Sequence, residues 1–423
     1  MIAPARRAAV DALLQIETEP IDLGEAIARA RRRLSDVRDR ALLLELVTGT
    51  LRMRGAIDYQ LASRVNRPLP RLDLAVLCIL RVGAFQLMYS SRLPAASVIN
   101  DAVELTRRAG KSSAAGLVNA VLRAVSRDRD RLTWPDDLSV VHSHPRWLVD
   151  RWAARFGGEA VETWLQFNNR AAPLCLAANR LLTTREVLAE ELLRAGVTTT
   201  PTARAANGLY VTDGYPLELP AFTEGRFVVQ DEASQLIAEL ASPAEGARVL
   251  DLCASPGGKT VALAASAGER GHVVASDVRP HRMRLLAKTL ERCRVAAAIV
   301  RVPADGALPF LPESFDTVVI DAPCSGLGTV RRDPDIKWRR SPDDLQRFAG
   351  TQRGLTARAA DLVRCGGTLV YSTCSSEPEE NADVVSAFLA ARTDYRLERQ
   401  LETLPFRDGL EAFYGAVLRR VEL

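Results

Sequence analysis

The chain has 423 residues, of which 47% are hydrophobic and 26% charged, with a formal net charge of +4. That length predicts two or three domains, and the apolar fraction is ordinary for a globular protein. No stretch approaches the roughly 18 uninterrupted apolar residues of a membrane helix, Met-Ile-Ala-Pro-Ala-Arg-Arg lacks the apolar segment of a secretory signal, and seven unevenly spaced cysteines do not form a disulfide framework. A cytoplasmic protein with reduced thiols is expected.

Residues 1–130 read as all helical. Apolar residues recur at helical spacing over 8–14, 41–51, 74–88 and 98–125, and Gly24, Pro68, Pro70, Pro94 and Gly110 punctuate the joins. Residues 1–131 carry 22 Lys or Arg against 14 Asp or Glu, a net +8, so the remainder is near −4. A basic domain beside a slightly acidic one points to a polyanionic partner, although any single arginine is more often part of a solvated helix face. Only Lys111, Lys259, Lys288 and Lys337 are Lys. Where Arg is so favoured, a Lys marks a place that needs a compact ammonium group.

The polar stretch 128–145 looks like a linker. Residues 145–235 mix patterns: 185–193 is a helix candidate, and 208–211 and 226–229 are short strands. From 236 to 423, strand and helix patterns alternate, which predicts a doubly wound α/β domain.

Ala247 to Cys253 reads as a strand, followed by Ala254-Ser255-Pro256-Gly257-Gly258-Lys259-Thr260 and an Ala-rich helix. A strand, a Gly-rich turn and a helix together cradle an anionic or polar cofactor through backbone N–H groups. A nucleotide-binding phosphate loop is a competing reading, with Asp321 as its magnesium-binding acid. That pattern needs Gly six residues before the Lys, but position 253 is Cys. The next strands discriminate: they end in Asp277, Asp305 and Asp321. An acid at Asp277 suits a ribose. A series of acids suits ribose, adenine and ammonium donors and repels a triphosphate, so S-adenosylmethionine is favoured over ATP.

Two further apolar runs end in cysteines: Asp316 to Gly326 contains Pro323-Cys324, and Gly367 to Ser375 contains Thr373-Cys374. If these strands are neighbours they lie about 4.8 Å apart, and both thiols face one pocket. The remaining cysteines read as small hydrophobes, with Cys253 a packing residue of the loop. His142, His144, His272 and His281 show no metal spacing with the cysteines, so no metal is expected.

The segments DLCASPGGKT, DAPCSG and STCS, in this order and spacing, resemble the RNA cytosine carbon-5 methyltransferases of the NOL1/NOP2/Sun family. GTVRRDPDIKW (Gly328 to Trp338) and VQDEAS (Val229 to Ser234) also resemble family segments, with Asp333 where His is frequent. The helical N-terminal region resembles the NusB-type RNA-binding domain of the bacterial RsmB (Sun) branch. The resemblance implies an α/β Rossmann-like class I methyltransferase domain (236–423), an all-α NusB-like domain (1–130) and a small α+β middle domain (145–235). It implies methylation of a cytosine in small-subunit (16S) ribosomal RNA with S-adenosylmethionine as cofactor.

Residue by residue, the resemblance implies Cys374 as nucleophile, Cys324 as the cysteine of product release, and Asp321 as a contact to both the base and the cofactor. It gives Cys253, Ala254, Ser255, Pro256, Gly257, Gly258 and Lys259 as the cofactor loop, Asp277 as the ribose ligand and Asp305 as the adenine contact. Beside this motif, Arg331, Arg332, Lys337, Trp338 and Arg339 are expected to touch RNA, since cations neutralise phosphates and an indole stacks on an unpaired base. A monomer that binds RNA, with no DNA or membrane partner, is the expectation. Its rivals are a phosphate-loop nucleotidase and a noncatalytic RNA-binding protein of the antitermination type.

Overall fold

The computed structural model describes residues 2–90 and 93–422. They form two compact units. One comprises the described residues up to Ala171 together with Val330–Arg339, and the other comprises the rest.

The first unit is helical. Its helices include Pro4–Thr18, Val37–Arg52, Leu74–Tyr89, Ala95–Arg108 and Ala115–Asp128. Leu74–Tyr89 is apolar on all sides, and its residues from Val76 to Leu87 are buried, as expected of a central helix. Asp73 caps it by accepting from the amides of Ala75 and Val76. The polar stretch that reads as a linker is held within this unit. The Gln60 amide donates to the Thr133 carbonyl (2.8 Å) and the Gly55 amide to Ser143 Oγ (2.8 Å). Helices Arg146–Phe156 and Gly158–Asn169 come next in the same unit, with Trp152 and Trp164 stacked at 4.1 Å and fully buried. The sequence pattern instead groups both helices with the middle segment.

The second unit holds two sheets. The smaller consists of β1 (Cys175–Ala178), β2 (Thr198–Pro201), β3 (Gly208–Asp213) and β4 (Phe227–Val229), in the order β2-β3-β1-β4 and antiparallel throughout. The helix Arg185–Arg194 buries Leu188 and Leu192 in one cluster with Leu176, Leu209 and Phe227.

The larger sheet consists of β5 (Arg248–Asp251), β6 (His272–Asp277), β7 (Ala297–Arg301), β8 (Phe315–Asp321), β9 (Val363–Thr373), β10 (Tyr395–Thr403) and β11 (Phe413–Arg420). Its order is β10-β11-β9-β8-β5-β6-β7. Strands β5 to β9 pair in parallel, and β11 runs antiparallel to both β9 and β10. The doubly wound expectation thus holds for the parallel part, while the closing antiparallel hairpin departs from it. The strand order reverses between β5 and β8, and the crevice outside the carboxyl ends of such strands is where α/β sheets bind ligands.

Two contacts fix the carboxyl end of β9. Its pairing with β8 sets Asp321 opposite Ser372, and the Ala322 amide donates to the Ser372 carbonyl at 2.8 Å. Tyr371 is fully buried and donates its hydroxyl to the Glu380 carbonyl at 2.5 Å. Replacing Tyr371 with Phe leaves that carbonyl unsatisfied, so Tyr371→Phe should lower the unfolding free energy by about 1–3 kcal/mol. Urea titration of the two proteins measures this.

Candidate active site

The cofactor loop expected from sequence lies at the reversal point. Strand β5 ends at Asp251, and the helix Gly258–Ala267 starts seven residues later. Gly257 between them has φ +108°, and a Cβ there would lie 3.1 Å from Leu286 Cδ1, so only glycine fits. The loop is tied to its surroundings. The Ala254 amide donates to the Ser276 carbonyl (2.8 Å), Ser255 Oγ to the Arg282 carbonyl (3.1 Å) and Arg282 to the Ser255 carbonyl (2.7 Å). Cys253 is half-buried, and burial followed by the charges of Asp321, Asp251 and Asp277 pushes its thiol upward, which makes it an inert packing residue.

The acids differ in situation. Asp277 closes β6, is buried, accepts from the Arg279 amide at 3.2 Å and pairs with Arg282 at 3.3 Å. Asp305 does not end a strand: β7 stops at Arg301, ahead of Pro303, and Asp305 sits exposed in the turn beyond. An open cleft of ≈ 700 Å³ lies at the ends of β6 and β7, lined by Val278, Arg279, Pro280, Arg301 and Val302 among others. Asp251 is fully buried. Thr260 Oγ1 donates to one of its oxygens at 2.6 Å, and the other oxygen has no partner among the described residues. The chain therefore offers one orphaned acceptor, one buried acid and one largely apolar cleft along the ends of β5 to β7. This donor and acceptor set fits a nucleoside cofactor that bears an ammonium group.

Asp321 closes β8. It accepts from Lys259 Nζ at 2.8 Å and from Ser372 Oγ at 3.1 Å. Lys259 is 9% exposed. Burial is the largest single influence and opposes its charge, but Asp321, Cys374 and Asp251 together outweigh it, so its pKa is raised and it stays an ammonium. The scarcity of Lys in this chain is a correct signal here.

Strand pairing brings the two cysteines together, with Cys324 Sγ 3.3 Å from Cys374 Sγ, both half-buried. The approach is close throughout. The Gly328 amide donates to the Cys374 carbonyl at 3.0 Å, and a Cβ on Gly328 would lie 1.9 Å from the Ala412 oxygen. The thiol of Cys324 is pushed well up by its hydrogen bond to Cys374, by burial, and by the charges of Cys374 and Glu380. Cys374 instead lies within electrostatic reach of the Lys259 ammonium.

In the segment after Cys324, the residues expected to touch RNA also have protein partners. Lys337 is fully buried in the helical unit, with Nζ donating to the Arg52 carbonyl at 2.9 Å, and burial followed by Arg52 drives its pKa well down. Trp338 donates its indole N–H to the Leu51 carbonyl at 2.7 Å. Arg339 donates to the Ile16 and Ile21 carbonyls, both at 2.7 Å, and pairs with Asp335 at 3.1 Å. Arg331 donates to the Ala171 carbonyl at 2.9 Å and lies over Phe167, and Arg332 is half-buried and partnered. Asp333 is pushed up to about 9 by burial and then by its hydrogen bond to Asp335. The cations and the indole anchor this segment in the helical unit. Lys337 is fully buried, Trp338 is half-buried and Arg339 is exposed.

Sequence reasoning misses Glu380, which lies six residues beyond Cys374 and is fully buried. In the run Glu377-Pro378-Glu379-Glu380 it is indistinguishable from a solvated acidic turn.

Comparison with known proteins decides the family. Residues 238–416 match the model of the 16S rRNA methyltransferases RsmB/F, residues 3–127 the NusB family, and residues 144–218 the RsmF/B-like ferredoxin-like domain. The ribosomal RNA small subunit methyltransferase B of Proteus mirabilis is 31% identical over 98% of this chain and 98% of its own. That of Serratia proteamaculans is 33% identical with the same coverage. The chain belongs to this family. A protein from Bacillus subtilis described as a probable ribosomal RNA small subunit methyltransferase B is 34% identical, covering 87% of this chain and 84% of its own. Among solved structures, PH0851 shares the fold over 99% of both chains (TM-score 0.86, 24% identity). NSun6 from Pyrococcus horikoshii with SFG shares it over 67% of this chain and 100% of its own (TM-score 0.59, 21% identity).

Asp251 gives the family's loop a pH signature in this chain. Burial, then the neighbouring Asp321 and Asp277, raise its carboxyl from 3.8 to about 7 against the Thr260 hydrogen bond and Lys259. Between those values the native state holds a proton that the unfolded chain has lost, so this group's contribution to stability falls as pH rises through that window. Urea titrations at pH 4.5 and pH 8 should differ by roughly 3–4 kcal/mol more for wild type than for Asp251→Asn.

Proposed function

We propose that this protein methylates carbon-5 of a cytosine in small-subunit ribosomal RNA through a covalent adduct on Cys374. Membership of the family makes it a small-subunit ribosomal RNA methyltransferase. S-adenosylmethionine is the cofactor, and it supplies the electrophilic methyl group. The loop Cys253 to Lys259, the orphaned oxygen of Asp251, Asp277 and the cleft beyond β6 and β7 would hold it. Asp305 follows Ala304, which lines that cleft, and is the adenine contact in this reading. RNA is the partner. We read the protein as a monomer that acts on an unpaired or flipped-out cytosine, because a stacked base cannot reach a half-buried thiol.

The chemistry demands a thiolate, because carbon-5 of cytosine is a poor nucleophile until a group adds to carbon-6. Cys374 forms the bond between sulfur and carbon-6, and the displaced electron pair moves onto the ring. The observation that carries the reading is the 3.3 Å approach of the two thiols at the carboxyl ends of β8 and β9, and the resemblance to the NOL1/NOP2/Sun methyltransferases gives Cys374 the attacking role. Lys259, held by Asp321 at 2.8 Å, offers positive charge to the negative charge that develops on the ring.

Release requires loss of the carbon-5 proton. Its bonding pair then forms the double bond between carbon-5 and carbon-6, and the bond from carbon-6 to sulfur breaks. Cys324 lies 3.3 Å from that sulfur. The largest cause raising its pKa is the hydrogen bond to Cys374. Alkylation of Cys374 removes the thiol from that bond, so Cys324 becomes easier to ionise when a base is needed.

Cys374→Ala should show no measurable turnover. Cys324→Ala should accumulate a protein–RNA species that survives denaturing electrophoresis. An adduct in Cys374→Ala instead reverses the assignment.

A further inference from the structure

We propose that Glu380 is the positioning residue that sets the spacing of the two thiols, by clamping the serines next to them in the chain. This rests on the two-cysteine reading above. Cys324 lies on the loop that leaves β8, and Cys374 lies just past the end of β9. Strand pairing fixes the start of that loop at Ala322, and the Gly328 amide fixes its end. Between these points, the residue after Cys324 is bound to the residue after Cys374 through one carboxylate.

Glu380 Oε1 accepts from the Ser325 amide at 2.7 Å and from Gln352 at 3.1 Å. Its Oε2 accepts from Ser325 Oγ and Ser375 Oγ, each at 2.5 Å, and the two hydroxyl oxygens are 3.3 Å apart. Four donors thus converge on one buried side chain. A carboxylate has acceptor sites for all four, and short charge-assisted bonds are the stronger kind.

The clamp is itself held. The Glu380 carbonyl accepts from Tyr371 of β9, Gln352 also donates to the Pro323 carbonyl at 3.0 Å, and the neighbouring Asn381 donates to the Ser375 carbonyl at 2.9 Å. Arg340 donates to the Ser325 carbonyl at 2.8 Å. Each catalytic cysteine is therefore one peptide unit from a buried, fully bonded serine. The charge of Glu380 is only a minor influence on Cys324, after the hydrogen bond to Cys374, burial and the charge of Cys374.

The test compares Glu380→Ala with Glu380→Gln. The Gln amide can keep the clamp, with its NH2 donating to both serine hydroxyls and its oxygen accepting from the Ser325 amide. Two readouts are taken on folded full-length protein: the rate at which diamide links Cys324 to Cys374, followed by peptide mapping without RNA or cofactor, and steady-state methylation. We expect Glu380→Ala to cross-link well below the wild-type rate. Its kcat should fall about 100-fold at unchanged KM for RNA, as for a misplacement near 1 Å. Glu380→Gln should restore both. If Glu380→Ala does not fold, Ser375→Ala removes one arm only and should slow cross-linking to a lesser degree.

Wild-type cross-linking in whichever variant folds, or an equal loss in Glu380→Gln and Glu380→Ala, would overturn the proposal. So would slowed cross-linking at undiminished kcat. The cross-linking arm needs no methylation, so a wild type that makes no 5-methylcytosine would remove the cytosine reading and leave the clamp standing.

Discussion

The parallel pairing of β8 with β9 is the constraint on which the site depends. Side chains alternate along a strand, so a slip of one residue would turn every side chain of β9 to the other face. With Asp321 opposite Ser372, three contacts are set at once. Asp321 meets the Ser372 hydroxyl and the Lys259 ammonium, the two thiols come within 3.3 Å, and the serines beyond them fall on either side of one carboxylate. The register is specified by burial, since Val318, Val319, Ile320, Leu369, Val370 and Tyr371 are all essentially inaccessible.

That geometry alone would leave two equivalent thiols. Charge makes them different. A cation held by Asp321 bears on one, and a carboxylate with four donors bears on the other. In a buried site such charges act with little screening, and those around Cys324 raise its pKa. The hydrogen bond between the sulfurs then links the two states: whatever happens to Cys374 changes the acidity of Cys324.

Much of this is legible in the sequence, for identifiable reasons. Cys324 and Cys374 stand out because strand ends in a parallel sheet gather chemistry, and Lys259 because this chain otherwise uses Arg. Where the structure departs from the local pattern, partners distant in sequence reassign residues in two places. Val330–Arg339 has the composition of an RNA-binding loop, yet the carbonyls of Ile16, Ile21, Leu51 and Arg52 take up its donors. Glu380 looks like part of a solvated turn until Ser325, 55 residues earlier, is brought onto it. The strand expected to reach Asp305 is shorter than its apolar pattern, because β7 ends before Pro303. In the hairpin, β11 is a continuous buried run and β10 is mostly exposed, and nothing local marks the pair as antiparallel to the rest.

The central claim is that Cys374 makes the bond to the base. It is tested most directly with a substrate RNA carrying 5-fluorocytidine at the target position. After methylation, carbon-5 holds fluorine where a base would remove a proton, so release cannot occur and the wild-type enzyme stays attached. Peptide mapping of that complex should place the RNA on Cys374. Attachment through Cys324, or methylation of the fluorinated RNA with no covalent complex, would contradict the account.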